Sequence, residues 1–413
     1  MTSSDKPWDL MGLNLALLFY AGVIPTEGIA SSPFKLRLYR CYPVLMVALY
    51  CLVLTAQCLA IYKFWGNLDA ITDNAFTMVG VFMCYIQAAY AVTHSQGILN
   101  LVHNLENKLT PKMKTLASTE EQHQLVMGAA RKARVLTWTM FVIVHGMLCS
   151  WIALPIAHKY SQNHAQTDPD KPSPYFCFII WLPFDAIHSP VYEIVYTIQT
   201  ICFLMACLYY TSINTVFLTF IIHTATQFKI LIMSLKDMDK LFPVNEENTF
   251  TPSKKLELDV YFKECIKHHQ AIIRFAKDMD EVFSPLQLFY FFCSQLIMCV
   301  VMFQVVLSWG QGNGVFKFVL GLAAAACGPL MFCWFGTDII QESLAVQQVA
   351  YGCNWYHRAT SFKQLLGLVI MRAQKPVRLT AGMFYDVSLT TFTQMLNSVY
   401  TYFAVLKQLY EEE

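Results

Sequence analysis

VYEIVYTIQTICFLMACLYYTSINTVFLTFII, residues 191–222, is the stretch whose reading decides the fold. Its only charged residue is Glu193, and the rest is apolar or weakly polar. A helix needs about 20 largely apolar residues to cross the hydrocarbon of a bilayer. This run exceeds that, so the sequence predicts a helix that crosses a membrane and protrudes beyond it. Working outward, comparable stretches occur at Pro43–Tyr62, Ala75–Thr93, Val135–Ala157, Pro285–Leu307, Val315–Phe335 and Phe384–Leu406. The last is the most polar, with Asp386, Gln394 and Asn397. A polar span faces a partner helix or water rather than lipid. The predicted fold is all-α: a polytopic membrane protein with seven transmembrane helices.

Composition agrees. Charged residues make up 14% of the 413 residues and apolar residues 56%, against about 25% charged in ordinary soluble proteins. There is too little charge to coat a soluble surface of this size. A net charge of +1 gives no reason to expect a nucleic-acid partner. Most of the 14 cysteines, Cys51, Cys202 and Cys333 among them, sit inside apolar runs and read as small buried hydrophobes. Cys177 alone falls in a stretch assigned outside the cell, and no CxxC pair suggests zinc. Met11–Pro25 is too short to span. The residues before it lack the basic start of a signal peptide, so it reads as a cytoplasmic or interfacial helix.

Lysine and arginine set the orientation. Of the 29 basic residues, only Lys63, Lys159, Lys171, Lys317 and Lys407 fall on the side opposite the N-terminus. The positive-inside rule therefore places the N-terminus in the cytoplasm and the C-terminus outside. This is the reverse of a G-protein-coupled receptor. A DRY-like triplet after span three, NPxxY in span seven and an N-x-S/T sequon are all absent from the chain. A metabotropic seven-helix receptor is thus disfavoured. The lack of an internal repeat weakens a transporter reading. HExxH, P-loop and GxSxG motifs do not occur, nor do paired carboxylates within a span, so an enzyme is not expected. Neither a catalytic site, a metal site nor a cofactor is predicted. Lys254–Glu281 reads as a charged helix extending into the cytoplasm, and His158–Pro190, with five prolines, as an irregular lid over the outer helix ends. His268 and His269 point apart on that charged helix. His145 reads as a neutral, hydrogen-bonded helix histidine rather than a pH sensor.

The C-terminal third carries Glu342-Ser343, Ala350-Tyr351, Trp355-Tyr356, Met371-Arg372-Ala373-Gln374-Lys375-Pro376 and Ala381-Gly382. Ser388-Leu389-Thr390-Thr391-Phe392 and Ser398-Val399-Tyr400-Thr401-Tyr402-Phe403 follow. In this order and spacing they resemble the insect odorant receptors, and Gly22-Val23-Ile24-Pro25 is similar to that family's N-terminal motif. Thr401-Tyr402 and Gln408 would also suit the related gustatory receptors; the runs at 371–376 and 388–392 favour the odorant branch. The resemblance implies an odour-tuned subunit of a tetrameric, ligand-gated, non-selective cation channel. It further implies assembly with a shared co-receptor, small volatile organic ligands, and residence in the plasma membrane of olfactory neuron dendrites. The chain does not resemble the co-receptor itself, which carries an extra insertion between spans four and five.

On this reading residues 1–42 form a cytoplasmic N-terminal segment and 43–335 hold spans one to six with their extensions and an outer ligand pocket. Residues 336–383 form a cytoplasmic anchor, and 384–413 form the pore-lining helix and tail. Helical spacing puts Thr401, Tyr402, Val405, Gln408 and Leu409 on one face. Taken alone that face suits a packing seam; the resemblance makes Val405, Gln408 and Leu409 the pore and gate. Lys407 departs from the apolar residue at the matching co-receptor position, and lies off this face.

The family's pocket lies among the outer halves of spans two, three, four and six. That implies Phe76, Val79, Gly80 and Met83; Val144, Met147, Leu148 and Trp151; Tyr192, Tyr196, Gln199 and Phe203; and Phe316 and Leu320. A volatile ligand calls for an apolar cavity with few polar groups, and Tyr196 or Gln199 would orient a carbonyl or hydroxyl. For any one of these residues, ordinary core packing is the plainer reading.

Overall fold

A computed structural model describes residues 10–109, 120–161, 175–184, 186, 188–243, 252–307 and 314–411. The helices are α1 (Gly12–Tyr20), α2 (Glu27–Ala30), α3 (Pro33–Lys63), α4 (Leu68–Thr93), α5 (Ser95–His103), α6 (Glu120–Ser161), α7 (Val191–Leu241), α8 (Pro252–Leu307), α9 (Gly314–Gly352), α10 (Thr360–Ala373) and α11 (Leu389–Glu411). A two-stranded hairpin, β1 (Thr380–Ala381) and β2 (Tyr385–Asp386), separates α10 from α11. Local chemistry starts several helices. Pro33 opens α3, where its missing N–H costs nothing. Asn67 caps α4 by accepting from Ala70 N at 3.1 Å.

Among the described residues, six helices are long and apolar enough to cross a membrane: α3, α4, α6, α7, α8 and α9. The fourth and fifth apolar runs do continue far past a bilayer's thickness, as helices of 51 and 56 residues. Lys254–Glu281 is the first half of α8, in line with Pro285–Leu307 rather than a separate helix. α11 is not among the six, and here the expected boundary needs correction. The helix begins at Leu389, not Phe384, because the chain first turns through the hairpin. Gly382 and Met383 have φ of +64° and +62°. Positive φ at both central residues is the requirement of a type I′ hairpin turn and stops a helix there.

α7 is the axis of the protein. In its most apolar window 72% of residues are buried, against 17% for α6, so α6 presents most of its surface to the surroundings. The helices close around α7 through aromatic rings. Phe217 lies 4.9 Å from Phe283 of α8 and 5.4 Å from Phe332 of α9. Phe220 meets Phe275 edge-on at 5.9 Å. α1 docks on the same helix through buried Asn14, whose Nδ2 donates to Thr215 at 3.2 Å and Thr137 at 3.4 Å. His268 and His269, expected on a charged helix, are both buried in this bundle.

At the end away from residues 175–190 the protruding halves of α7, α8 and α9 pack with α10. A partly buried charge pair ties this end together. Arg358, with its side chain 1% exposed, donates to Asp239 Oδ1 at 3.1 Å and to the Phe242 carbonyl at 3.0 Å. Asp239 also accepts from Asn354 N at 2.9 Å. Beside it, burial pushes the Cys353 thiol up to about 11, so it stays protonated and unreactive. All 14 cysteines are free. Asp239→Ala strands the buried guanidinium and should cost about 3–5 kcal/mol. Thermal unfolding of the detergent-solubilised protein would register the loss, and Asp239→Asn should cost less because it keeps an acceptor.

Candidate ligand cavity and the eleventh helix

A cavity of about 260 Å³ lies toward the end that carries residues 175–190. Five helices wall it: α4 through Phe76, Gly80 and Met83; α6 through Val144, Met147, Leu148 and Trp151; α7 through Phe203 and Tyr210; α8 through Tyr290, Ser294 and Ile297; and α9 through Gly321 and Gly328. Its surface is almost wholly apolar, so it suits a compact hydrophobic molecule. The rings are organised around it. Trp151 lies 6.1 Å from Phe76 and meets Phe203 edge-on at 6.2 Å.

Phe76, Gly80, Met83, Val144, Met147, Leu148, Trp151 and Phe203 are brought together here. The remaining candidates are placed differently. Val79 packs against the core. Tyr192 donates to the Tyr175 carbonyl at 3.2 Å, and Tyr196 donates to the Ile152 carbonyl at 2.5 Å. Gln199, 1% exposed, spends its amide oxygen on Cys177 N at 3.0 Å and Phe178 N at 3.4 Å. Gln199 therefore holds the covering segment down instead of facing the cavity. The hydrogen bonds expected of Tyr196 and Gln199 toward a ligand are spent on backbone instead, that of Tyr196 on α6 and those of Gln199 on the covering segment. The side chains of Phe316, Leu320 and Leu409 lie outside the described residues.

The sequence reading missed the wall from α8 and the small-residue face of α9. Gly321, Ala324, Ala325 and Gly328 recur at helical spacing, and that recurrence was visible: small residues on one face leave a hollow. Tyr290 carried no such signal, since one tyrosine in an aromatic-rich span looks like any other. His145 is hydrogen-bonded within its helix, Nδ1 lying 2.9 Å from the Phe141 carbonyl. Over the cavity, burial raises the pKa of the Cys177 thiol.

α11 presents two faces. Phe392, Met395 and Val399 are buried, against α8 and α9. The opposite face, Gln394, Asn397, Thr401, Val405 and Gln408, is exposed on the isolated chain. The hairpin that precedes it is clamped to α8. Asp280 accepts from Thr380 N at 2.6 Å and from its hydroxyl at 3.0 Å. The Ser284 carbonyl accepts from Gly382 N at 2.9 Å, and the Ser284 hydroxyl lies 2.8 Å from that of Thr380. Thr337 of α9 accepts from Leu389 N at 3.0 Å, capping the first turn of α11. α8 thus serves two sites. Tyr290, Ser294 and Ile297 line the cavity, while Phe291, Phe292 and Gln295 line a groove against α11. Among the described residues no cluster of His, Cys, Asp or Glu could hold a metal ion.

This combination, an apolar cavity set apart from a final helix with a polar exposed face, belongs to an all-helical, multi-span membrane-type bundle. The 7tm odorant receptor family model matches residues 67–400, and the chain belongs to that family. Odorant receptor Or2 of Anopheles gambiae is 21% identical over 90% of this chain and 92% of its own length. Odorant receptor 13a of Drosophila melanogaster is 27% identical over 83% and 84%. The odorant receptor coreceptor of Anopheles gambiae matches 39% of this chain and 34% of its own, at 27% identity. In fold the chain is similar to the olfactory receptor OR5 of Machilis hrabei, solved in complex with eugenol. The TM-score is 0.77, at 15% identity, with 97% of each chain covered.

The cavity geometry makes a size prediction. Trp151→Ala removes the largest ring between α4 and α7 and should shift odorant responses toward bulkier molecules while weakening those to the smallest. Dose–response curves with a size-graded ligand series would read this out; an unchanged size optimum would count against the cavity as the binding site.

Proposed function

We propose that this chain is the odour-binding subunit of a ligand-gated, non-selective cation channel in the plasma membrane of olfactory neuron dendrites. It assembles with the family's co-receptor in a heterotetramer. The N-terminus lies in the cytoplasm, and α11 is the seventh, pore-lining crossing. One observation carries the reading: α8 forms a wall of the apolar cavity with one face and packs α11 with another. A ligand that prefers one packing of α8 biases α11 by that difference in affinity and by no more. The exposed mixed face of α11 suits a conduit for hydrated cations, which lipid would not tolerate. Residues 336–383, with the inner halves of α7 and α8, act as the anchor that holds the tetramer. The basic residues on the anchor side support this orientation.

Val405 and Leu409 are one helical turn apart, with Gln408 beside them. One such turn from each subunit rings the axis, and an apolar ring a few ångströms across stops ions by dewetting. Leu409→Ser wets that ring and should raise current in the absence of odorant. Gln408→Arg puts a positive charge on the path and should reduce cation permeation. Patch-clamp recording on cells expressing the chain with the co-receptor reads both; normal basal current and permeation in both variants, at normal surface expression, would leave the face a packing seam.

An N-terminal epitope should be stained only after permeabilisation, and a C-terminal one without it. Staining in the reverse pattern would overturn both the orientation and the channel reading.

A further inference from the structure

The wall of the cavity carries four hydroxyl groups, on Thr77, Tyr210, Tyr290 and Ser294. That of Thr77 is committed elsewhere: it donates to the Asn74 carbonyl at 3.0 Å and accepts from Gln57 Nε2 at 3.3 Å. The other three stand in a row where α7 meets α8. The Tyr210 and Tyr290 hydroxyls are 3.2 Å apart, and Ser294, one helical turn after Tyr290, is a hydrogen-bond neighbour of its hydroxyl. Gly328 of α9 makes the room for them. A Cβ at that position would run into the Tyr290 hydroxyl and approach that of Tyr210 to 2.9 Å.

Each hydroxyl has one proton to donate and two lone pairs. A row of three has three protons and two links, so one donor is left over whichever way the row is polarised. Thr211 and Thr215 on the neighbouring helix turn dispose of their protons on the carbonyl one turn back. Among the described residues Ser294 makes no such bond, so its helix does not absorb the spare proton. In a wall that is otherwise almost wholly apolar, a donor without an acceptor is unfavourable.

Resting on the reading of this cavity as the odorant site, we infer that Tyr210, Tyr290 and Ser294 form its polarity-reading subsite. The subsite selects compact apolar molecules that carry one hydrogen-bond-accepting oxygen, of the ketone, aldehyde or ester class. Hydrocarbons of the same shape fill the cavity but leave the spare donor unmet, and so bind less well. The rest of the wall reads size and shape only.

The test uses pairs in which a carbonyl oxygen is replaced by a methylene of the same geometry: cyclohexanone against methylenecyclohexane, and acetophenone against α-methylstyrene. Each is applied to cells expressing the full chain with the co-receptor, and the readout is the carbonyl-to-alkene ratio of half-maximal concentrations. The wild type should favour the carbonyl member by roughly tenfold. In the double variant Tyr210→Phe/Tyr290→Phe, which leaves Ser294 as the one donor of the row, the ratio should fall toward one, with alkene responses retained. Gly328→Ala, which crowds the row without removing a hydroxyl, should lower the ratio as well and covers the case in which the double variant does not reach the surface. A wild-type ratio of one overturns the inference. So does a double variant that weakens both members alike, because that is the behaviour of a mere link between α7 and α8. Silence toward every pair while other odorants evoke current overturns the subsite and leaves the channel reading standing. Odorants evoking no current at all, with both subunits at the surface, would overturn the channel reading and this inference with it.

Discussion

One constraint shapes the rest of this protein: α7 is enclosed on all sides through about five turns of its middle. Between Thr211 and Phe228 every residue is buried. No face of that stretch meets lipid or water, so its polar groups must be satisfied within the protein. The hydroxyls among them are satisfied along the helix itself. Thr211, Thr215, Thr219, Thr224 and Thr226 each donate to a carbonyl one turn back. Such self-contained hydroxyls make it possible to surround a helix with apolar partners without burying unmet donors.

The aromatic contacts follow from that enclosure. Phe217 and Phe220 project toward α8 and α9 and meet Phe283, Phe332 and Phe275. Packing of this density transmits displacement instead of absorbing it. α8 is consequently a stiff element with the cavity at one flank and α11 at another. The hairpin clamp at Asp280 and Ser284 fixes the start of α11 to the same helix. Gly336 lets the chain through at this point, since a side chain there would run into the Val387 backbone. The arrangement joins an apolar cavity to a helix whose outer face is exposed on the isolated chain.

The cavity is formed by subtraction. Gly80, Gly321 and Gly328 and the alanines at 324 and 325 withhold side chains where α4 and α9 face the large rings of Trp151 and Phe203. Its cover is attached by side chains whose hydrogen bonds end on backbone: Gln199 on residues 177–178 and Tyr192 on residue 175. Cavity size, cover and polar lining are therefore set by different residues, and substitutions at each should have separable effects on ligand range.

Much was legible in the sequence, and for definite reasons. Uninterrupted apolar runs fix where helices cross a membrane, because unsatisfied backbone is not tolerated in lipid. The run at 191–222 and its charged continuation announced helices longer than any bilayer. The placement of lysine and arginine argued for an orientation, and motifs of the last third identified the family that the full comparison bears out. Helical spacing also assembled eight residues that do line the cavity. What the tertiary structure alone decided was which polar side chains face that cavity. Gln199 and Tyr196 sit at the right height on the right helix, yet backbone groups take their hydrogen bonds, those of residues 177–178 for Gln199 and that of Ile152 on α6 for Tyr196. Tyr210 and Tyr290 are 80 residues apart and become neighbours only when α7 packs on α8. The start of α11 was likewise hidden, because a positive-φ turn docked on α8 outweighs the apolar pattern around Phe384. Periodicity along one helix is a local property written in the sequence; the pairing of hydrogen-bond donors across helices depends on how they pack.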